Sequence, residues 1–421
     1  MKHSVKKAMS LVLALAMIVA CFTACGGSTA PASSAAAESG DAAAASGTAA
    51  SGTIKIGGIG PITGPAAVYG IAVKNGGQLA VDEINAMGGL QFELNFQDDE
   101  HDAEKSVNAY NNLKDWGMQL LFGPVTTTPA VAVTAESSND SIFTLTPSAS
   151  SPKVVEGKTN VFQICFSDPN QGTASAQYIA QNKLATKVAV IYNNADAYSS
   201  GIYEKFAQEA SSQGLNIVST TTFTDDTATD FSVQLSEAQK AGAELIFLPI
   251  YYTPASLILS QAKSMGYSPK FFGCDGLDGI LGLENFDKTL AEGVMLLTPF
   301  SADSTDERTV NFVKNYKAKY GELPNQFAAD GYDCIYAFYQ ACQAKGANST
   351  MSAADICPLM IDAFTSMKVD GLTGTGMTWS ASGEVSKAPM AVVIKNGAYV
   401  GMSAGSSAST ASSAADSSSA A

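Results

Sequence analysis

Histidine is almost missing from this 421-residue chain, which has 2, and tryptophan is as scarce. Positive charge is short as well: 24 Lys and Arg stand against 39 Asp and Glu, a formal charge of −15 at pH 7. Such a surface lacks the basic stripe that phosphate backbones require, so no nucleic-acid partner is expected. His3 falls in the leader described below, which leaves His101 as the histidine of the body. A single imidazole builds no multi-histidine metal site and gives acid–base chemistry one candidate. The body has no G-x-S-x-G elbow, and Gly57-Gly58-Ile59-Gly60 completes neither a dinucleotide fingerprint nor a P-loop. Beyond the leader, no apolar run nears the ~20 residues of a spanning helix. These gaps weaken most enzyme readings: no enzymatic activity, no cofactor and no metal are expected.

Two short segments at the ends are informative. Lys2, Lys6 and Lys7 precede an apolar stretch from Ala8 to Ala20 that is too short to cross a bilayer, which is the layout of an export signal. Small residues then precede cysteine twice, before Cys21 and before Cys25, in the manner of a bacterial lipobox. Cys25 is the better candidate for lipidation, with Cys21 as the alternative, because Gly26-Gly27-Ser28 opens a low-complexity run after it. Residues 1–24 are then a signal peptide. Its removal takes three lysines and no acid, which lowers the formal charge from −15 to −18. Residues 25–52 are the lipidated cysteine and an Ala/Ser/Gly leash. Such a composition buries too little surface to offset its ordering entropy, and its mean span is roughly 30 Å. Residues 403–421 have the same composition and read as a disordered tail.

Between them lies a body of alternating strand and helix signals. The chain is 46% hydrophobic, enough for ordinary globular packing, and its length implies about two cores. Ile54–Ile59 reads as a strand, followed by a helix from about Ala66 that Gly88-Gly89 stops. Phe92–Phe96 alternates with period two, and Asp102 can cap a helix ending near Trp116. Further strands are expected at Leu120–Gly123, Ile142–Leu145, Val161–Phe166, Lys187–Tyr192, Ile217–Thr222, Leu245–Leu248 and Phe271–Gly273. Helices follow at about Ser199–Gln213, Glu307–Tyr320 and Phe327–Ala344, and strands at Met377–Trp379 and Met390–Lys395 close the body. Successive βα units imply an α/β fold of mostly parallel sheets with helices on both faces, split into two lobes. The five body cysteines form no CxxC pair and are expected to be buried free thiols.

In order along the body come Gly60-Pro61-Ile62-Thr63-Gly64-Pro65, Tyr69-Gly70, Asp82–Gly89, Gly123–Thr127, Thr146–Ser150, Asp168–Gly172, Asp275-Gly276, Gly331–Asp333 and Gly371–Gly374. Their order and spacing resemble the branched-chain (leucine/isoleucine/valine-type) amino-acid-binding proteins, the substrate-binding lipoproteins of ABC transporters. The resemblance implies the type I periplasmic-binding-protein fold: two doubly wound lobes joined by three crossovers, with a ligand cleft between. It implies lobes of 53–168 plus 299–373 and 169–298 plus 374–402. It places hydroxyls and N–H groups of Thr127 and Ser150 on a ligand carboxylate, with Ala149 beside them. The Ser148 carbonyl and the Asp275 carboxylate fall on the ligand ammonium, and Tyr69, Tyr198 and Tyr251 wall or close the pocket. The implied protein is a monomeric receptor on the outer face of the bacterial cytoplasmic membrane, lipid-anchored only, which passes an amino acid to an ABC permease.

Other readings stay open. Thr127 and Ser150 also suit helix caps, and Asp275-Gly276 an ordinary turn. Asp98-Asp99-Glu100-His101-Asp102 lacks the spacing of a calcium loop and reads as a solvated strand-to-helix turn. The ligand could also be an amide, a short peptide or an aromatic acid, and the protein a sensor or an exported hydrolase.

Overall fold

Short runs that are apolar on both faces become buried parallel strands, and the longer amphipathic stretches between them become the covering helices. The computed structural model describes residues 52–402. The leader, Cys25 and Cys21, the tether up to Ser51 and the tail lie outside the described residues.

The first sheet is parallel throughout, in the order β2-β1-β3-β4-β5. It is built from β1 (Thr53–Gly60), β2 (Gln91–Asp98), β3 (Leu120–Phe122), β4 (Thr144–Thr146) and β5 (Val161–Gln163), with α1 (Ala67–Met87), α2 (Ala103–Trp116) and α3 (Thr127–Asn139) between strands. Asp102 caps α2, its carboxylate accepting from the Lys105 N–H at 2.8 Å. Gly88, at φ 76°, ends α1.

The chain then passes to a second sheet, β12-β11-β10-β9-β8-β6-β7. Its parallel part comprises β6 (Lys187–Asn193), β7 (Asn216–Phe223), β8 (Leu245–Leu248), β9 (Lys270–Gly273) and β10 (Met295–Thr298). The helices there are α4 (Asp168–Gln181), α5 (Ala197–Ser212), α6 (Ser232–Lys240) and α7 (Tyr252–Ser264).

A second passage returns to α8 (Glu307–Tyr320), α9 (Gln326–Lys345) and α10 (Ala353–Phe364). α9 crosses α1 so closely that a Cβ on Gly76 would lie 1.9 Å from the Ala328 carbonyl oxygen. α10 escapes the sequence reading because Pro358 interrupts the helical pattern, yet Ser352 and Asp355 close a capping box at its start.

A third passage leads to β11 (Met390–Lys395) and β12 (Ala398–Gly401), which add antiparallel to the second sheet. The hairpin signal for β12, Asn396-Gly397, was present in the sequence, and both residues have positive φ. The expected strand Met377–Trp379 is instead part of two isolated bridges, Val369 to Met377 and Trp379 to Val385. This segment stays on the first lobe, so the passage falls after Lys387 rather than at residue 374. The cause is Trp379: its indole N–H donates to the Gln163 carbonyl at 2.8 Å, and its ring packs on Phe364. Cys165, Cys274, Cys334, Cys342 and Cys357 are free and buried.

Candidate functional site

In wound parallel sheets the loops beyond the carboxyl ends of the strands carry the site. From the first sheet these are the turn after β1 that leads to Tyr69, Val125-Thr126 after β3, and Pro147–Ser151 after β4. From the second they are Asp196–Tyr198 after β6, Tyr251 after β8 and Cys274–Asp278 after β9. One cavity is lined by both sets: Tyr69, Val125, Thr126, Ser148 and Phe327 from one lobe, and Tyr198, Tyr251, Asp275 and Gly276 from the other.

Asp275 is the polar centre. Its carboxylate accepts from the Tyr198 hydroxyl at 2.7 Å and from Gln171 Nε2 at 3.0 Å. Its own N–H donates to Gln171 Oε1 at 3.2 Å, so Gln171 clamps the residue from α4. Burial pushes the carboxyl up to about 7, although the Tyr198 hydroxyl pulls the other way. The tyrosines form a wall. Tyr198 stacks on Tyr251 with centroids 4.9 Å apart, and Tyr69 meets Tyr251 edge-on at 5.6 Å. Tyr69 also spans the lobes, since its hydroxyl donates to the Gly276 carbonyl at 2.5 Å and accepts from the Tyr252 N–H at 3.2 Å. Two further ties cross the cleft: the Val68 N–H to the Tyr252 hydroxyl at 3.1 Å and the Thr253 hydroxyl to the Pro65 carbonyl at 2.8 Å.

The loop after β4 is held from beneath. Gln163 Nε2 donates to the Ala149 and Ser151 carbonyls at 2.6 and 3.0 Å. The Ser148 hydroxyl donates to the Val125 carbonyl at 2.6 Å, and the Ala149 N–H donates to the Thr146 hydroxyl at 3.0 Å. Thr127 is the first residue of α3, with its N–H groups among the free donors of that helix start, while Thr126 lines the cavity. Tyr69, Ser148, Tyr198, Tyr251 and Asp275 therefore meet at the cavity itself. Thr127, Ala149 and Ser150, fully buried or nearly so, are not among its lining residues.

Val125, Thr126, Gly276 and Phe327 were not assigned to the site from the sequence. The first three adjoin residues that were; Phe327 comes from α9 and had no local signal. His101 is a larger surprise. The turn expected to be solvated buries Asp99, and His101 Nδ1 lies 2.8 Å from Thr126 Oγ1 with its ring edge-on to Tyr251 at 5.5 Å. Burial holds the His101 imidazole below its usual range. Among the described residues no group of three or more His, Cys, Asp and Glu side chains is placed to hold a metal ion.

The buried acids make a testable statement about stability. Burial pushes Asp99, Asp196, Asp278 and Asp330 up to about 6, and Asp275 to about 7. A carboxyl raised above its unfolded value favours the folded state when protonated, and that stabilisation is lost as pH climbs through 6 to 7. Each group contributes about 1–3 kcal/mol between pH 5 and pH 8. His101, displaced downward, opposes the trend as one group against five. The unliganded protein should melt at least about 5 °C lower at pH 8 than at pH 5. A Tm that is flat or rising over this interval in scanning calorimetry would contradict the burial of these acids as charged-form penalties.

Comparison with known proteins gives a consistent result. The periplasmic binding protein family profile matches residues 53–398. A Leu/Ile/Val-binding protein homolog of Brucella melitensis is 33% identical over 228 residues, 53% of this chain and 61% of that one, so the match spans about three-fifths of that relative's length. A branched-chain amino acid transporter substrate-binding protein of Streptococcus pneumoniae, solved with isoleucine, superposes with a TM-score of 0.75. It shares 28% identity and covers 83% of this chain and 98% of its own. A solute-binding protein of R. palustris, solved with benzoate, has a TM-score of 0.73 at 19% identity, covers 83% of this chain and 96% of its own, and shares the fold alone.

Proposed function

We propose, from the premise that this chain belongs to the periplasmic binding protein family, that it is an extracytoplasmic receptor which captures an α-amino acid, of branched-chain type, and delivers it to an ABC permease. One observation carries the reading. Asp275 of the second lobe, an acid with no cation among the lining residues, shares a cavity with Val125, Thr126 and Ser148 of the first-lobe loops. An ammonium would meet Asp275 and the Ser148 carbonyl. A carboxylate would meet the free N–H groups at the start of α3 and the Ser150 hydroxyl. A zwitterion touching both lobes favours their closed arrangement, because a ligand shifts that equilibrium only by its preference for one state. Tyr69, reaching from α1 to the Gly276 carbonyl, would latch the same arrangement. The names of the relatives support a branched-chain ligand.

An aromatic acid is the second reading, supported by the shared fold of the benzoate complex. Asp275 speaks against it, since a carboxylate ligand without an ammonium leaves that acid opposed to like charge. The proposal extends to a monomer held by a lipid at Cys25 on the outer face of the cytoplasmic membrane, with no catalysis.

A thermal-shift panel of amino acids, amides and aromatic acids tests the reading. A micromolar ligand at millimolar concentration adds about 4 kcal/mol of stability. Shifts with leucine, isoleucine or valine are expected; silence across amino acids with a response to benzoate would overturn the zwitterion site.

A further inference from the structure

Asp168 opens α4 at the first passage between the lobes, and its side chain is wholly buried. Among the described residues neither of its carboxyl oxygens has a hydrogen-bond partner of sound geometry, and the Ser150 hydroxyl is unpaired as well. The two orphans are neighbours. The Asp168 N–H donates to the Ser150 carbonyl at 3.0 Å, and the Ser150 and Ser151 hydroxyls face the carboxyl group.

An unpartnered buried charge is among the costliest features a fold can carry, and a carboxyl escapes it by keeping its proton. The titratable groups around Asp168 offer no relief. Asp196 capping α5, Asp275 after β9, Tyr251 before α7 and the Cys165 and Cys274 thiols face it, and none is a cation. The first turn of α4 favours negative charge, but with a fraction of an elementary charge, against two like-charged acids and full burial. The balance pushes the Asp168 carboxyl well above the usual range.

Protonation decides which way Ser150 points. A neutral carboxyl donates, so the Ser150 oxygen accepts from it and keeps its own O–H to give elsewhere. An ionised Asp168 would draw that O–H to itself and turn oxygen lone pairs toward any anion in the cleft.

We propose that Asp168 is a positioning residue: it holds a proton in neutral solution, donates it to Ser150 Oγ, and so aims the Ser150 O–H at the carboxylate of the bound ligand. This rests on the reading of the cleft as an α-amino-acid site. Asp168 and Asp275 then serve opposite ends of one zwitterion, the first as a neutral donor and the second as the acid for the ammonium.

The proton can be read without a ligand. The infrared difference spectrum between wild type and Asp168→Asn at neutral pH should contain the C=O stretch of a protonated carboxyl; carboxylate bands in its place overturn the proposal. The positioning is read by calorimetry with leucine, isoleucine and valine. Asp168→Asn, which can still donate, should stay within about threefold of wild type, and Asp168→Ala should lose about tenfold or more. In a Ser150→Ala background the Asp168→Ala loss should vanish. A loss that persists in full without Ser150, or no loss at all, overturns the proposal. If the alanine variant fails to fold, Asp168→Asn still decides. Toward alkaline pH wild-type affinity should fall more steeply than that of Asp168→Asn, which shares the loss of the ligand's ammonium proton but has no carboxyl proton of its own to lose. The infrared result is independent of ligand, so it stands or falls apart from the functional reading.

Discussion

Asp275→Ala is expected to lower affinity for an α-amino acid by about 2–5 kcal/mol, roughly thirtyfold to several thousandfold, with the loss read by calorimetry. The size follows from where the acid sits. Asp275 is 4% exposed, its carboxylate already oriented by Tyr198 and Gln171, so no water replaces it cheaply when an ammonium is buried against the vacated space. Asp275→Asn separates charge from shape: it keeps a partner for the Tyr198 hydroxyl and should still lose most of the affinity. The pH dependence adds a second signature. Because burial holds the carboxyl near 7, an entering ammonium must displace its proton, so affinity should climb from pH 5 to pH 7. Wild-type affinity in Asp275→Ala, or a flat profile over that interval, would remove Asp275 from the site. The variant itself should fold, since removing a destabilised buried acid relieves the desolvation cost that wild type bears at pH 8.

Lys387→Met should destabilise the protein by about 3–5 kcal/mol in chemical denaturation. Lys387 lies at the start of the third passage, its side chain wholly buried, and its ammonium donates to Asp330 at 2.8 Å and to the Thr373 hydroxyl at 2.6 Å. Thr373 in turn donates to Asp333 at 2.6 Å, and the Leu372 and Thr373 N–H groups complete the shell of Asp333 at 2.8 and 2.9 Å. Truncating Lys387 leaves Asp330 and Asp333 buried without a counter-ion. Such a loss far exceeds that of an exposed pair such as Lys105 with Glu100, which is held in water and contributes little. The penalty should shrink at pH 5, where Asp330 can protonate, and Lys387→Met combined with Asp330→Leu should recover much of it. An equal penalty at pH 5 and pH 8 would show that packing, not charge, holds this crossing.

Much of the architecture was legible in linear order. The β1, β6 and β8 runs are apolar enough to be strands in any α/β context, and Asp102 and Gly88 mark helix ends by local chemistry alone. The family motifs point to Tyr69, Ser148, Tyr198, Tyr251 and Asp275 as candidate site residues, and all five line one cavity. What escaped had its cause elsewhere in the chain. Trp379 is bound to Gln163, 216 residues away, and that long-range contact moves the third passage. Phe327 reaches the cavity only because α9 crosses α1 at a pair of small residues, Gly76 and Ala328. His101 looked like part of a wet acidic turn until Tyr251 of the other lobe closed over it.

By itself the sequence determined the class of the fold and its two-lobed division, because periodicity, caps and turn residues act within a few residues of one another, while the candidate site residues came from the order and spacing of the family motifs. Only the tertiary structure decided the electrostatic state of the cleft. Asp168 reads as one helix-start aspartate among several, and Lys387 as one lysine among many surface ones. Their protonation and pairing depend on which groups the fold brings against them and how completely it removes water. Desolvation is a property of the assembled packing, and no spacing along the chain encodes it.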